Sequence, residues 1–130
     1  MLITADRLND HAIEAQTTSG VVPPADFTTN SFAGYKVSGV TTVGLVMTYQ
    51  GETITSSSSG NIKDTLCATL PVGWRPPFTV VTSFDRSGLA DGSVSIAPDG
   101  TCLLKTLSPT ATLGGGNNVS FMATWVSGNA

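Results

Sequence analysis

The sequence predicts an all-β fold, an antiparallel β-sandwich or jelly-roll-like domain preceded by a short N-terminal helix and an extended linker. Three observations predict it. Apolar and polar residues alternate with a period of two from Tyr35 onwards, as in half-buried strands. The alternating runs are short and are separated at regular intervals by Gly/Pro turns. Charged residues are only 12% of the 130 residues, whereas a typical globular domain has roughly one quarter.

Residues 1–32 are predicted to form a helix and linker that serve oligomerisation or attachment, and residues 33–130 the β domain. Ile3–Gln16 has helical periodicity, with one narrow apolar seam formed by Ala5, Leu8, Ala12 and Ala15. A helix this short is not stable alone, so we expect the seam to contact neighbouring subunits or to pack on the domain. Thr17–Phe32 is polar and contains Pro23-Pro24, which predicts an extended linker.

The first strands are predicted by alternation and by turn residues. One face is shared by Val43, Leu45, Met47 and Tyr49. Glu52–Thr55 follows the turn signal Gln50-Gly51, so we expect it to form a hairpin with this strand. Ile62–Leu70 is a further extended stretch that ends at Pro71.

The later strands follow the same pattern. Gly92–Ala97 places Val94 and Ile96 on one face, and Thr101–Leu107 returns as its partner after the turn Pro98-Asp99-Gly100. The last strand has Val119, Phe121, Ala123 and Trp125 on one face. The aromatic residues predicted to lie in the core are Tyr49, Phe78, Phe84, Phe121 and Trp125.

A corner between two sheets is predicted where Ile62–Leu70 ends. Its residues are Pro71, Gly73, Trp74, Arg75 and Pro76. Proline ends the strand, glycine permits a sharp bend, tryptophan can cover the core, and the guanidinium can cap carbonyl groups or pair with a carboxylate. We favour this structural role for Trp74 and Arg75 over a ligand site.

The segment Leu70-Pro71-Val72-Gly73-Trp74-Arg75-Pro76-Pro77 resembles the "LP-x-G-aromatic-R-P" segment in C-terminal β domains of bacteriophage tail-fibre, baseplate and minor structural proteins. Ser95–Gly100 and Ala123–Val126 follow in the order typical of that family, and Thr4–Asn9 is similar to the start of such modules. The resemblance implies a trimeric β-sandwich head on a helical or fibrous stem, and it implies no catalytic residue. Because this chain has almost no shaft, its position in the tail, baseplate or capsid stays open.

Residues that could carry chemistry are few. His11 is the only histidine, and no G-x-S-x-G nucleophile elbow occurs. Asp64 and Asp85 could act as a glycosidase pair only if they faced one cleft, and we favour turn-forming roles for Asp85, Asp91 and Asp99. We therefore expect no catalytic residue, metal or cofactor. The scattered basic residues argue against nucleic-acid binding, and no apolar run is long enough to insert in a membrane.

Two cysteines, Cys67 and Cys102, lie inside predicted strands and are too far apart for a CxxC motif. We favour buried free thiols, because unpaired cysteine behaves as a small hydrophobic residue. A disulfide stays open if the two strands are neighbours.

The function expected from these features is that of a non-enzymatic virion structural protein, a phage tail-fibre, baseplate or receptor-binding component. The expected partners are further copies in a homotrimer, other virion proteins and a host cell-surface glycan. The expected location is the phage particle, after synthesis in the bacterial cytoplasm without a signal peptide. The alternatives are a capsid decoration or head-fibre protein, a stand-alone carbohydrate-binding module, and a small hydrolase of unusual type.

Overall fold

The computed structural model describes residues 13–127, which form ten β-strands and no helix. The all-β class predicted from the sequence is therefore confirmed. The strands are β1 (Ala15–Thr17), β2 (Phe27–Val37), β3 (Val40–Tyr49), β4 (Ile54–Thr55), β5 (Asn61–Thr69), β6 (Val80–Arg86), β7 (Ala90–Ile96), β8 (Thr101–Leu107), β9 (Thr112–Leu113) and β10 (Asn118–Val126).

Eight strands form one antiparallel sheet in the order β1-β2-β3-β10-β6-β7-β8-β5, and β4 pairs separately with β9. The sheet is curled, because the segment that follows β1 returns to the opposite edge. Val22 donates its backbone N–H to the carbonyl of Thr69 at 3.0 Å, and Thr69 donates to the carbonyl of Val22 at 2.9 Å. The two edges of the sheet are thereby brought together around one core.

The core is formed by the inward residues of the alternating strands. Along β3 every second residue from Thr41 to Tyr49 is buried, as the period of two predicts. Register aligns Phe32, Leu45, Phe121 and Phe84 in one buried row across β2, β3, β10 and β6. The predicted core positions Tyr49, Phe84, Phe121 and Trp125 are confirmed.

Phe78 is a wrong core prediction, because its side chain is 61% exposed. It lies in a bend before β6, and the ladder between β6 and β7 begins only at Val80, which pairs with Ile96. Alternation has no structural meaning where no neighbouring strand fixes the backbone. Pro76 and Pro77 immediately upstream lack the N–H that a ladder needs.

The predicted hairpin between β3 and Glu52–Thr55 is also wrong. β3 pairs with β2 along one edge and with β10 along the other, so neither edge is free for a further strand. β4 instead pairs with β9, where Ile54 is opposite Leu113. The hairpin predicted at Pro98-Asp99-Gly100 is confirmed: β7 pairs with β8, and Ala97 donates its N–H to the carbonyl of Thr101 at 3.0 Å.

The N-terminal predictions need two corrections. Ala15 and Gln16, predicted to end the helix, belong to β1 and pair with Lys36 and Tyr35. The edge of β2 that β3 leaves free accepts these residues as a strand. The predicted linker is too long, because β2 begins at Phe27, and Phe27 and Phe32 are buried in the core. Ala5, Leu8, Ala12 and His11 lie outside the described residues.

Candidate interaction surface

The corner segment follows β5 directly and folds as a tight turn. Trp74 donates its N–H to the carbonyl of Pro71 at 3.1 Å, and Gly73 has a φ of +91°, which favours glycine. Arg75 Nε donates to the carbonyl oxygen of Leu70 at 2.9 Å, and Pro76 is buried. The guanidinium therefore caps a carbonyl at the end of the strand, which is one of the two roles that the sequence suggested.

The corner also joins the two edges of the curled sheet. A Cβ placed on Gly34 of β2 would lie 2.7 Å from Trp74 Cε3, so the ring lies directly against the β2 backbone. Lys36 Nζ lies 4.8 Å from the centroid of the Trp74 ring, a cation–π contact. On the other side, a Cβ on Gly20 would lie 2.9 Å from Pro71 Cβ. These contacts describe a structural element and leave little room for a ligand.

The turn between β7 and β8 supports this corner. Asp99 accepts hydrogen bonds from the N–H of Thr101 at 3.0 Å and from its hydroxyl at 2.7 Å. These two bonds lower the pKa of Asp99, and the positive charge of Arg75 lowers it further. A Cβ on Gly100, at a φ of +90°, would meet Arg75 Nε at 2.6 Å, so only glycine fits here without displacement.

The structure does not bring the two candidate glycosidase carboxylates together. Asp64 on β5 forms an ion pair with Lys105 at 2.7 Å, whereas Asp85 on β6 accepts a hydrogen bond from the N–H of Gly88 at 2.8 Å. β7 and β8 lie between these strands in the sheet, and the two residues line separate cavities. Paired carboxylates that share a cleft are what glycoside hydrolysis needs.

A cavity of about 730 Å³ lies between β5 and the segment that follows β3. Asp26, Glu52, Lys63 and Asp64 line it, and the Tyr49 hydroxyl at its wall donates to the carbonyl of Glu52. Among residues 13–127, no three His, Cys, Asp or Glu side chains are grouped so that they could hold a metal ion. The same residues contain no helix that is long and apolar enough to cross a membrane.

Cys67 and Cys102 are buried free thiols in the structure, on the neighbouring strands β5 and β8. Cys67 Sγ donates to the carbonyl of Cys102 at 3.4 Å. Burial raises the pKa of the Cys67 thiol well above its usual range and that of Cys102 to about 12. Thiols that hold their protons so strongly are poor nucleophiles.

A surface that sequence reasoning missed is the outward side of β2, β3 and β10, three adjacent strands in the sheet. Alternation and register place sixteen residues on it, and we call them the neutral face. They are Thr28, Asn30, Ser31, Ala33, Tyr35, Val37, Val40, Thr42, Gly44, Val46, Thr48, Asn118, Ser120, Met122, Thr124 and Val126.

None of the residues of the neutral face is charged. Charged residues make up 12% of the chain, so about two would be expected among sixteen. Lys36, the one charged residue in these three strands, lies in the inward row with Thr41. Large apolar side chains are nevertheless exposed on the neutral face: Tyr35 by 42%, Met122 by 65% and Val126 by 70%. An uncharged face that exposes tyrosine and methionine side chains has the composition of an interface core.

Several polar groups of the neutral face bond to one another. Thr42 Oγ1 and Thr124 Oγ1 are 3.1 Å apart. Asn30 Nδ2 donates to Thr48 Oγ1 at 2.7 Å, and that hydroxyl donates to Asn118 Oδ1 at 3.1 Å. If another protein surface covered the neutral face, these groups would keep their hydrogen bonds to one another. A buried polar group that keeps its hydrogen bond is not strongly destabilising.

A shallow depression, the trough, lies over Ala33 and Gly44 near the middle of the neutral face. These residues are opposite each other in β2 and β3, and Met122 of β10 is opposite Gly44 on the other side. The trough has a volume of about 470 Å³. The sequence does show that the outward positions of these strands are uncharged and that some of them are small. It does not show that β3 pairs with β10, and this pairing is what brings those positions together in one face.

No model of a known protein family matches this sequence, and a search of curated proteins also finds no match.

Proposed function

We propose that this chain is a non-enzymatic structural component of a bacteriophage particle, a tail-fibre, baseplate or host-attachment protein that works as a homo-oligomer. The neutral face is the structural observation that supports the proposed assembly into a homo-oligomer. The phage assignment is supported by the resemblance of residues 70–77 and of the segments that follow them.

The composition of the neutral face supports a role in assembly. The cores of protein interfaces are depleted in charged residues and enriched in aromatic residues and methionine. The neutral face has no charge and exposes Tyr35 and Met122. A surface that faces only water gains solubility from charged side chains, and this chain places charges on other strands, for example at Asp64, Asp91 and Lys105, with Asp85 at the border of the neutral face opposite Ser120.

On this proposal the curled sheet is the sandwich-like or jelly-roll-like head of a trimer, and residues 1–32 contact neighbouring subunits. Ala5, Leu8, Ala12 and Ala15 remain the residues that we propose for those contacts, although Ala15 itself lies in β1. The further partners are other virion proteins and a host cell-surface glycan, and the location is the phage particle outside the host cell.

Two measurements test the proposal. Light scattering of the purified chain should give a multiple of its 13.3 kDa mass. Mass spectrometry of sedimented particles, from a lysate of the cells that produce the chain, should detect it in a fixed ratio to the other particle proteins. A chain that stays monomeric at high concentration, and that is found only in the soluble fraction of the lysate, would contradict the proposal.

A further inference from the structure

We propose that the neutral face binds the neutral face of a second copy of this chain around a two-fold axis, with Met122 of each copy seated in the trough of the other. This inference rests on the proposed function in one respect, namely that the chain self-associates. It adds the surface, the symmetry and the central side chain of the contact.

Charge is the first reason to choose a second copy as the occupant. A partner that brought charged groups onto the neutral face would bury them without a counter-charge, which is strongly unfavourable. Outside the neutral face the sheet carries charges such as Asp85 and Asp91, which are directly opposite each other on β6 and β7, and Asp85 borders the neutral face opposite Ser120. The neutral face of a second copy brings no charged side chain onto this surface.

Shape is the second reason. In a two-fold contact the same patch serves both copies, so the patch must hold a projection and a matching depression. Met122 is 65% exposed and lies in the same cross-strand row as Ala33 and Gly44, whose missing or small side chains form the trough. Adjacent strands are about 4.8 Å apart, so projection and depression lie side by side. A two-fold axis that lies in the plane between the two faces, parallel to the strands and between Met122 and the trough, exchanges the two.

Methionine is suited to this position because its flexible, polarisable side chain adapts to irregular gaps. A Cβ on Gly44 would lie 3.9 Å from Met122 Cε, so in the free chain the methyl group already lies near the trough. We expect the side chain to turn from its own trough towards that of the partner when two copies meet.

The available area fits a reversible contact. β2, β3 and β10 have 11, 10 and 9 residues. Three strands about 4.8 Å apart, with about 3.3 Å per residue, give a flat area of about 480 Å². Side-chain relief increases the accessible area, so two copies bury about 1,000 Å² together, which is the lower limit for a specific interface. Association should therefore depend on protein concentration.

Gly44→Ile is the sharpest test. Gly44 has an ordinary negative φ and open space where a side chain would begin, so isoleucine fits the free strand and fills the trough. Sedimentation velocity over a range of concentrations should show an even multiple of the chain for the unchanged protein, namely six copies where the two-fold contact joins two of the proposed trimers. Gly44→Ile should weaken this association about 100-fold. Both copies contribute residue 44 to the two-fold contact, so the substitution affects the contact at two places. Its thermal unfolding temperature should stay the same or rise.

Met122→Lys should weaken association to a similar extent, and its matched control is Leu89→Lys. Leu89 is 83% exposed on the turn between β6 and β7, so the control introduces the same charge at an exposed apolar position outside the neutral face. The control should associate like the unchanged chain.

The outcomes separate this inference from the proposed function. A trimer that neither Gly44→Ile nor Met122→Lys weakens would overturn the two-fold contact and leave the proposed function standing. A chain that is monomeric at every concentration would overturn both. Equal weakening by Leu89→Lys would show that added positive charge, and not the neutral face, controls association, and would also overturn the inference.

Discussion

Two buried thiols give the folded chain a distinctive response to alkaline pH. Burial raises the pKa of Cys67 and that of Cys102, whereas the thiol of an unfolded cysteine has a pKa of about 8.5. Because the folded-state pKa values are raised, their stabilising contribution is complete below about pH 8.5 and is lost as the pH rises from there towards the folded-state values. Urea unfolding should show a loss of about 2 kcal/mol for each thiol by pH 10.

The control for this prediction is the double variant Cys67→Ala, Cys102→Ala. It should be less stable at pH 7, since it lacks two buried side chains, but its stability should fall less steeply between pH 8 and pH 10 than that of the unchanged chain. Tyr49, whose pKa is also raised by burial and by the nearby Asp26 and Glu52, is present in both proteins. If the free energy of unfolding fell equally steeply with pH in both proteins, the thiols would be accessible to base in the folded state.

Trp125 and Met122 allow a direct test of alternation within one strand. Trp125 is 4% exposed and Met122 is 65% exposed, although they are only three residues apart in β10. Trp125→Ala should lower the free energy of unfolding by about 3–5 kcal/mol, because it empties a buried aromatic site. Met122→Ala, measured at a concentration where the chain is monomeric, should change it by less than about 0.5 kcal/mol. Similar losses in the two variants would contradict the inward assignment of Trp125.

Individual residues were predictable from the sequence wherever a strand with two paired neighbours surrounds them. Val43, Leu45, Val119 and Phe121 lie in such strands, and all four are buried. Phe78 failed because the residues around it are not paired. The tight packing of Gly34 against Trp74 could not be predicted, since it joins segments that only the curl of the sheet brings together.

At the level of elements, the corner after β5 is predicted to depend on the absence of a side chain at Gly34. In Gly34→Ala the new Cβ would press against the Trp74 ring, and such overpacking should lower the free energy of unfolding by about 1–3 kcal/mol. In a Trp125→Phe background, where Trp74 is the only tryptophan, its fluorescence should also shift towards that of a more exposed ring.

A double-mutant cycle checks that the ring is the cause. When Trp74→Ala is already present, Gly34→Ala should cost clearly less than it does alone, since the clashing ring has been removed. An equal cost in both backgrounds would mean that Gly34 is needed for the β2 backbone itself and not for the corner.

Elements formed by local signals were predicted well. The hairpin of β7 and β8 follows from Pro98-Asp99-Gly100, β3 and β10 follow from their alternation, and the end of β5 follows from Pro71. Elements whose existence depends on distant partners were not. β1 exists because β2 has a free edge, and β4 because Leu113 and Thr112 lie opposite it. A sequence pattern contains little information about such pairings.

At the level of the whole molecule, residues 1–12 are predicted to serve assembly and not the stability of the sheet. The sheet that the structure describes begins at Ala15, and its closure uses Val22 and Thr69. Deletion of residues 1–12 should therefore leave the β-sheet circular dichroism and the unfolding temperature unchanged. Light scattering should then show weaker association or loss of the trimer. Unchanged assembly would contradict the role proposed for Ala5, Leu8 and Ala12.

The position of β10 has a consequence for biosynthesis. It is the last of the ten strands along the chain, yet it lies in the middle of the sheet, between β3 and β6. While the ribosome is still translating residues before Asn118, no strand lies between β3 and β6, so each of these two strands has an unpaired edge that another nascent chain could pair with. The sheet is completed only when β10 has left the ribosome and enters the gap. Chains released prematurely before this point should therefore be the principal targets of cellular chaperones and proteases.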